Sequence, residues 1–146
     1  QQNERILPVG EQIQLAEGIT LLSNAEKPES TFSMLRREDD VMHPEDFRHE
    51  QYLLIEEDGK RVLFSGCSHK GIVNLALWAR PDVVVGGFHL KKVEDEAELI
   101  ALADVLKKMN IKFYTCHCTG KWQFEQLKKV MGSQLEYLHC GETIEI

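Results

Sequence analysis

Residues 61–90 read RVLFSGCSHKGIVNLALWARPDVVVGGFHL, and this stretch decides the fold. Arg61–Ser65 has the apolar content of a strand. From Lys70 to Ala79, Ile72, Leu75, Ala76 and Ala79 form an apolar stripe at helical spacing, and Pro81 stops the run. Asp82–Phe88 is a strand whose unbroken valines suggest burial on both faces. Both strands run into chemistry: Gly66-Cys67-Ser68-His69 after the first, Gly86-Gly87-Phe88-His89-Leu90 at the end of the second. In open α/β sheets, ligands bind just beyond the carboxyl ends of strands.

Working outward, the same alternation continues. Asp95–Met109 is the clearest helix, with Leu99, Leu102, Ala103 and Leu106 as its stripe and Glu94, Asp95 and Glu96 suiting its N-terminal dipole. Ile111–Thr115 is a strand that ends in Cys116-His117-Cys118-Thr119-Gly120. Lys121–Met131 is a helix with Phe124, Leu127 and Val130 facing in, closed by Gly132. Leu135–Leu138 and Thr143–Ile146 read as final strands. Upstream, Gln51–Glu56 and Arg61–Ser65 form a hairpin on Asp58-Gly59, a strong tight-turn signal. Residues 24–48 are polar and read as a long surface loop, and residues 11–23 as two short strands. The fold class is therefore α/β, a single layered domain over residues 1–146 with a mixed sheet and flanking helices.

Bulk properties narrow the function. A chain of 146 residues supports one domain with a real core. A net charge of -7 argues against a protein that lives on nucleic-acid phosphate. Apolar runs such as Val83-Val84-Val85 are too short to span a membrane. The four cysteines are mixed with histidines at strand ends, which reads as metal or thiol chemistry in a cytoplasmic, reducing compartment. There is no signal-peptide pattern, and Gln1-Gln2-Asn3 reads as the start of a fragment or processed chain.

His117 can offer a ring nitrogen to a metal, with Thr119-Gly120 opening a helix whose N-terminus attracts anions. Cys67 and His69 come from one strand end, and thiolate and imidazole are both good zinc ligands. His89 follows a glycine pair that lets backbone approach a ligand closely, and it can bind substrate or shuttle a proton. His43 and His139 read as ordinary surface histidines; Cys116, Cys118 and Cys140 individually read as core thiols.

Four ordered motifs carry a resemblance: Glu50-Gln51-Tyr52-Leu53, Gly66 to His69, Gly86 to Leu90, and His117 to Gly120. Over residues 46–146 they resemble the second half of a metallo-β-lactamase-fold hydrolase, an αββα sandwich. Within it they are similar to the group named after dihydropterin ribofuranosyl-aminobenzene-phosphate synthase. The resemblance implies metal ligation by His117, by Cys67 or His69, and by His49, which lies 18 positions before Cys67. It implies a place near substrate for Gly87, His89, Thr119 and Gly120, with His89 as the catalytic group. The superfamily signature His-x-His-x-Asp-His is absent from this chain, and with it the first half of the fold, on the order of 100 residues.

For the intact protein, the resemblance implies metal-assisted hydrolysis of a phosphoester, carboxylic ester or lactam. It implies one or two zinc ions, with manganese or iron as alternatives. Its partner would be a small-molecule substrate, with no nucleic acid and no membrane. The chain alone is expected to be a partial site with little activity. Two other readings stand beside it. One is a non-catalytic zinc-binding or redox module using Cys67, His69, Cys116, His117 and Cys118. The other is a half-domain that pairs with a second copy or with a missing N-terminal half through an exposed sheet face.

Overall fold

The structure is a computed structural model that describes residues 9–23 and 35–146. Its strands are β1 (Gln12–Ala16), β2 (Ile19–Ser23), β3 (Leu35–Glu38), β4 (Val41–Pro44), β5 (Gln51–Glu57), β6 (Lys60–Ser65), β7 (Val83–Gly86), β8 (Lys112–Thr115) and β9 (Leu135–Tyr137). Its α-helices are α1 (Ile72–Ala79), α2 (Glu96–Lys107) and α3 (Lys121–Met131). Seven strands make one mixed sheet in the order β1-β2-β5-β6-β7-β8-β9. The pairs from β1 to β6 are antiparallel and those from β6 to β9 are parallel. The change of direction falls on β6, so three successive β-α-β crossovers begin there. No described helix is long and apolar enough to cross a membrane.

The sheet's two faces are unequal. Leu54, Leu63, Val84, Phe113 and Leu135 lie side by side across five strands and are all buried. They pack with Leu75 of α1, Leu99, Ala103 and Leu106 of α2, and Leu127 and Met131 of α3. Each fully buried leucine of this kind contributes about 1.5–3 kcal/mol of apolar transfer free energy. On the opposite face Leu21, Leu53, Phe64, Val85 and Tyr114 form a second row in register, and these are only half-buried.

The Asp58-Gly59 hairpin forms as expected, with both residues in the left-handed region that matches strand twist. Asp95 caps α2 by accepting the Ala97 amide at 2.8 Å. Helix α1 begins at Ile72 rather than Lys70, because Gly71 at φ 84 takes the chain into it.

Two expectations are corrected. The polar tract is not all loop: residues 35–44 form the β3–β4 hairpin, turned on Asp39 and Asp40 in left-handed conformation. Residues 24–34 of that tract lie outside the described residues. Residues 143–146 are not a strand. Ile144 and Ile146 instead reach the half-buried sheet face, lining a hollow of about 380 Å³ with Ile55, Val62 and Phe64.

Candidate metal centre

The parallel strands β6, β7 and β8 all end at one edge, and their three following turns meet there. Each turn is held by buried hydroxyls. After β6, Ser65 and Ser68 share a hydrogen bond of 2.8 Å between hydroxyls that are shielded from solvent. Between β7 and β8 a single relay joins both turns. The Phe88 amide donates to Thr119 Oγ1 at 2.9 Å, and Thr115 Oγ1 donates to the Gly86 carbonyl at 3.1 Å. The two threonine hydroxyls lie 2.5 Å apart, so Thr119 must donate to Thr115 for every group to be satisfied. Three turn residues are left-handed without being glycine: Ser68 at φ 56, His89 at φ 55 and His117 at φ 51. Such conformations cost of order 1–3 kcal/mol each and persist only where surrounding contacts enforce them.

Glycine is required where the turns approach. A Cβ at Gly87 would lie 2.5 Å from Cys118 Sγ and 3.0 Å from the Gly66 carbonyl. At Gly86 it would run into the Ser65 carbonyl. The small residues let three backbones close on one another.

Among the described residues, two groups of potential ligand atoms lie mutually within 4.8 Å. One is Cys67, His69 and His89; the other is Cys67, His117 and Cys118. Cys67 belongs to both. The sequence-predicted Cys67, His69, His89 and His117 are thus brought together, and Cys118, read as a core thiol, joins them. His49 is not in either group: its side chain is 73% exposed, with Nδ1 3.8 Å from Glu45. Thr119 is fully buried with its hydroxyl taken up by the relay, so it holds the turn. Gly120 is half-buried and leads into α3, and a Cβ there would run into Gln123 Oε1. Cys116 stands beside the cluster, and all four cysteines are free.

The residue that sequence reasoning undervalued is Glu50. Its carboxylate accepts the His69 and Lys70 amides at 3.0 and 3.3 Å and the Tyr52 hydroxyl. It also lies 3.0 Å from His69 Nδ1. With Nδ1–H given to the carboxylate, Nε2 is the ring nitrogen whose lone pair can serve a metal. Phe47 stacks on that ring at 4.4 Å and 8°. The only sequence signal for Glu50 is its place at the head of the Glu-Gln-Tyr-Leu motif.

Electrostatics follow from burial. Burial lowers the His89 pKa, and the neighbouring His69 ring adds to the effect against an opposing pull from Glu50. The Cys118 thiol is pushed up to about 12, first by burial and then by its contact with Cys67, while the His89 amide opposes the shift. That amide donates to Cys118 Sγ at 3.2 Å. Cys116 is raised by burial, with Cys67 adding to it. The donor set of imidazole and thiolate fits zinc better than magnesium or calcium, which prefer oxygen.

No protein-family model matches the sequence. Over 148 residues the chain is 28% identical to 7,8-dihydropterin-6-methyl-4-(beta-D-ribofuranosyl)-aminobenzene-5'-phosphate synthase of Methanocaldococcus jannaschii, covering 91% of this chain and 50% of that protein. Over 94 residues it is 37% identical to the uncharacterised protein MJ0448 of the same organism, covering 60% of this chain and 34% of that protein. The crystal structure of Tm1679, a metal-dependent hydrolase of the β-lactamase superfamily, superposes with a TM-score of 0.78 at 22% identity. The match covers 97% of this chain and 58% of that one. The chain therefore spans half or less of the curated relatives it matches. This chain thus shares its fold with part of a β-lactamase-superfamily protein and is similar in sequence to half of the archaeal synthase.

Proposed function

We propose that this chain contributes the thiolate- and imidazole-bearing part of the metal centre of a metal-dependent hydrolase. The observation that carries the reading is the convergence of Cys67, His69, His89, His117 and Cys118 from three successive strand ends. Zinc suits these donors, and manganese or iron are alternatives once carboxylates join the set. When bound, such an ion supplies Lewis acidity and a water of lowered pKa. The chain's own residues prepare for it. Glu50 and Phe47 fix the His69 ring in position and tautomer. His89, its ring centroid 4.4 Å from that of His69 and its pKa lowered, stays neutral near pH 7 and can accept or hand on a proton.

The proposal assigns the remaining ligands to a first half of the protein carrying His-x-His-x-Asp-His and lying outside this chain. The relatives' greater length supports it. So does the half-buried row Leu21, Leu53, Phe64, Val85 and Tyr114, an apolar face suited to packing against a second sheet. His49 belongs to the ligand set only if that half covers it. The substrate class is a phosphoester, carboxylic ester or lactam, and the name of the archaeal relative favours a phosphorylated, pterin-linked compound. The free thiols fit a reducing, cytoplasmic compartment.

The test is metal content by elemental analysis together with hydrolysis of chromogenic phosphoester, ester and lactam substrates. The full-length protein should hold one or two ions per chain and turn over one class. The present chain alone should show little turnover. His117→Ala should lower metal affinity sharply, whereas His139→Ala, at an exposed ring beside Tyr137, should not. Equal effects from the two substitutions would sink the assignment.

A further inference from the structure

We propose that the hollow between the turn after β8 and the end of β9 receives an aromatic phosphate, with Lys121 as the anchor for its phosphoryl group. The inference rests on the hydrolase reading above and names a substrate class and a subsite for it. The hollow has a volume of about 410 Å³. Its lining includes His117, Lys121, Tyr137, Leu138 and His139. His117 also belongs to the metal centre, so the hollow opens directly beside the candidate ion site. A ligand seated here would present its phosphate to that edge of the sheet.

Charge favours an anion there. The chain carries a net charge of -7, yet no acidic residue lines this hollow among the described residues. Lys121 is exposed at the first position of α3, whose first turn holds no acidic residue, and it makes no ion pair among the described residues. Lys91 adds a second exposed lysine close by: its Cα would lie 3.3 Å from a Cβ placed on Gly120, the residue before Lys121. That approach is built into the fold. The buried Gln123 side-chain amide donates to the Lys91 and Val93 carbonyls at 3.1 and 3.0 Å, and the Lys91 amide donates to the Cys118 carbonyl at 3.1 Å. Asp95 and Glu96, which follow Lys91, are engaged elsewhere, capping α2 and pairing with Lys129. Two ammonium groups on one rim suit a phosphate dianion better than a single carboxylate. Shape favours a ring beside it. The Tyr137 ring lies 5.3 Å from the Phe124 ring and 5.1 Å from the His139 ring, centroid to centroid. Packed rings beside an unpaired lysine fit a flat aromatic group that carries an anion.

The experiment is calorimetric titration of the zinc-loaded, full-length protein with phenylphosphonate, whose carbon–phosphorus bond resists hydrolysis. Lys121→Ala, at an exposed position that leaves the core untouched, should raise the Kd about tenfold, as expected for one lost charge-assisted contact. His139→Ala should raise it about threefold through the lost ring contact. Lys107→Ala, exposed at the last position of α2, should leave it unchanged. Benzoate should bind the parent more weakly than the phosphonate. Zinc content of every variant should equal the parent's, which separates loss of the anchor from loss of the ion. Absence of phenylphosphonate binding, an unchanged Kd in Lys121→Ala or an equal rise in Lys107→Ala overturns the subsite. Benzoate bound as tightly as the phosphonate overturns the phosphate assignment. Each of these results can stand beside turnover of a carboxylic ester or lactam, which would leave the hydrolase reading intact. Binding that depends on Lys121 without turnover of any substrate supports the subsite and counts against hydrolysis instead.

Discussion

Replacing Glu50 by alanine tests how this site is built. The carboxylate is nearly buried and takes up the His69 and Lys70 amides, the Tyr52 hydroxyl and the His69 ring. Its removal takes this acceptor away from three donors besides the ring, and each such loss costs about 1–3 kcal/mol when water is excluded. The His69 side chain is 20% exposed, so water can reach part of the space. The lower end of the range is then the better figure, and three donors at about 1 kcal/mol each give about 3 kcal/mol. With a urea slope of about 2 kcal/mol/M for a domain this size, the midpoint should fall by about 1.5 M. Tyr52→Phe removes one partner and should cost about 1 kcal/mol, or about 0.5 M. Glu50→Gln keeps the shape and one carbonyl, and should fall between them. Because the carboxylate also fixes the His69 tautomer, zinc affinity measured against a chromophoric chelator should drop about 10–100-fold in Glu50→Ala. A variant that unfolds within about 0.3 M urea of the parent and binds zinc equally well would refute the reasoning.

Other expectations follow from single contacts. Gly87→Ala forces a methyl onto Cys118 Sγ and the Gly66 carbonyl. It should cost about 1–3 kcal/mol in urea unfolding and weaken cobalt binding as well, so a neutral result would contradict the close approach. Leu63→Ala, at a fully buried centre of the sheet, should destabilise by about 2–5 kcal/mol, while Leu77→Ala, 61% exposed on α1, should stay within about 0.5 kcal/mol. Glu136 is held below its ordinary value of 4.5, chiefly by the hydrogen bond from Lys128. Its folded pKa is depressed, so its small contribution is complete above the unfolded value and is lost as pH falls through the lower folded one. A carboxyl-carbon NMR titration should show this, and Lys128→Ala should move the midpoint upward.

Much of the parallel half was legible because its signals are local. Asp58-Gly59 marked the hairpin, Pro81 and Gly132 marked helix ends, and the strand ends carried their own histidines and cysteines. The β3–β4 hairpin was hidden because both of its strands are exposed throughout, so no apolar alternation distinguishes Arg36-Arg37-Glu38 from loop. The tail at 143–146 alternates like a strand, but it pairs with no strand among the described residues. Glu50 was missed for a different reason. A carboxylate becomes an organiser only when the start of β5 meets the turn after β6, and that pairing of residues 19 and 20 positions apart is tertiary. Cys118 likewise looks like any small buried thiol until Gly87 is seen to leave room for it.

The left-handed backbones at Ser68, His89 and His117 have a consequence for selection. Glycine adopts such conformations without penalty, so replacing the exposed His117 should return of order 1 kcal/mol of stability, whereas at Ser68 the lost hydroxyl bond to Ser65 offsets that gain. At 89 and 117 the same change deletes an imidazole from the site. A thermostability screen applied to this protein would therefore enrich variants that have discarded their chemistry, and the histidines survive only where function is selected alongside folding.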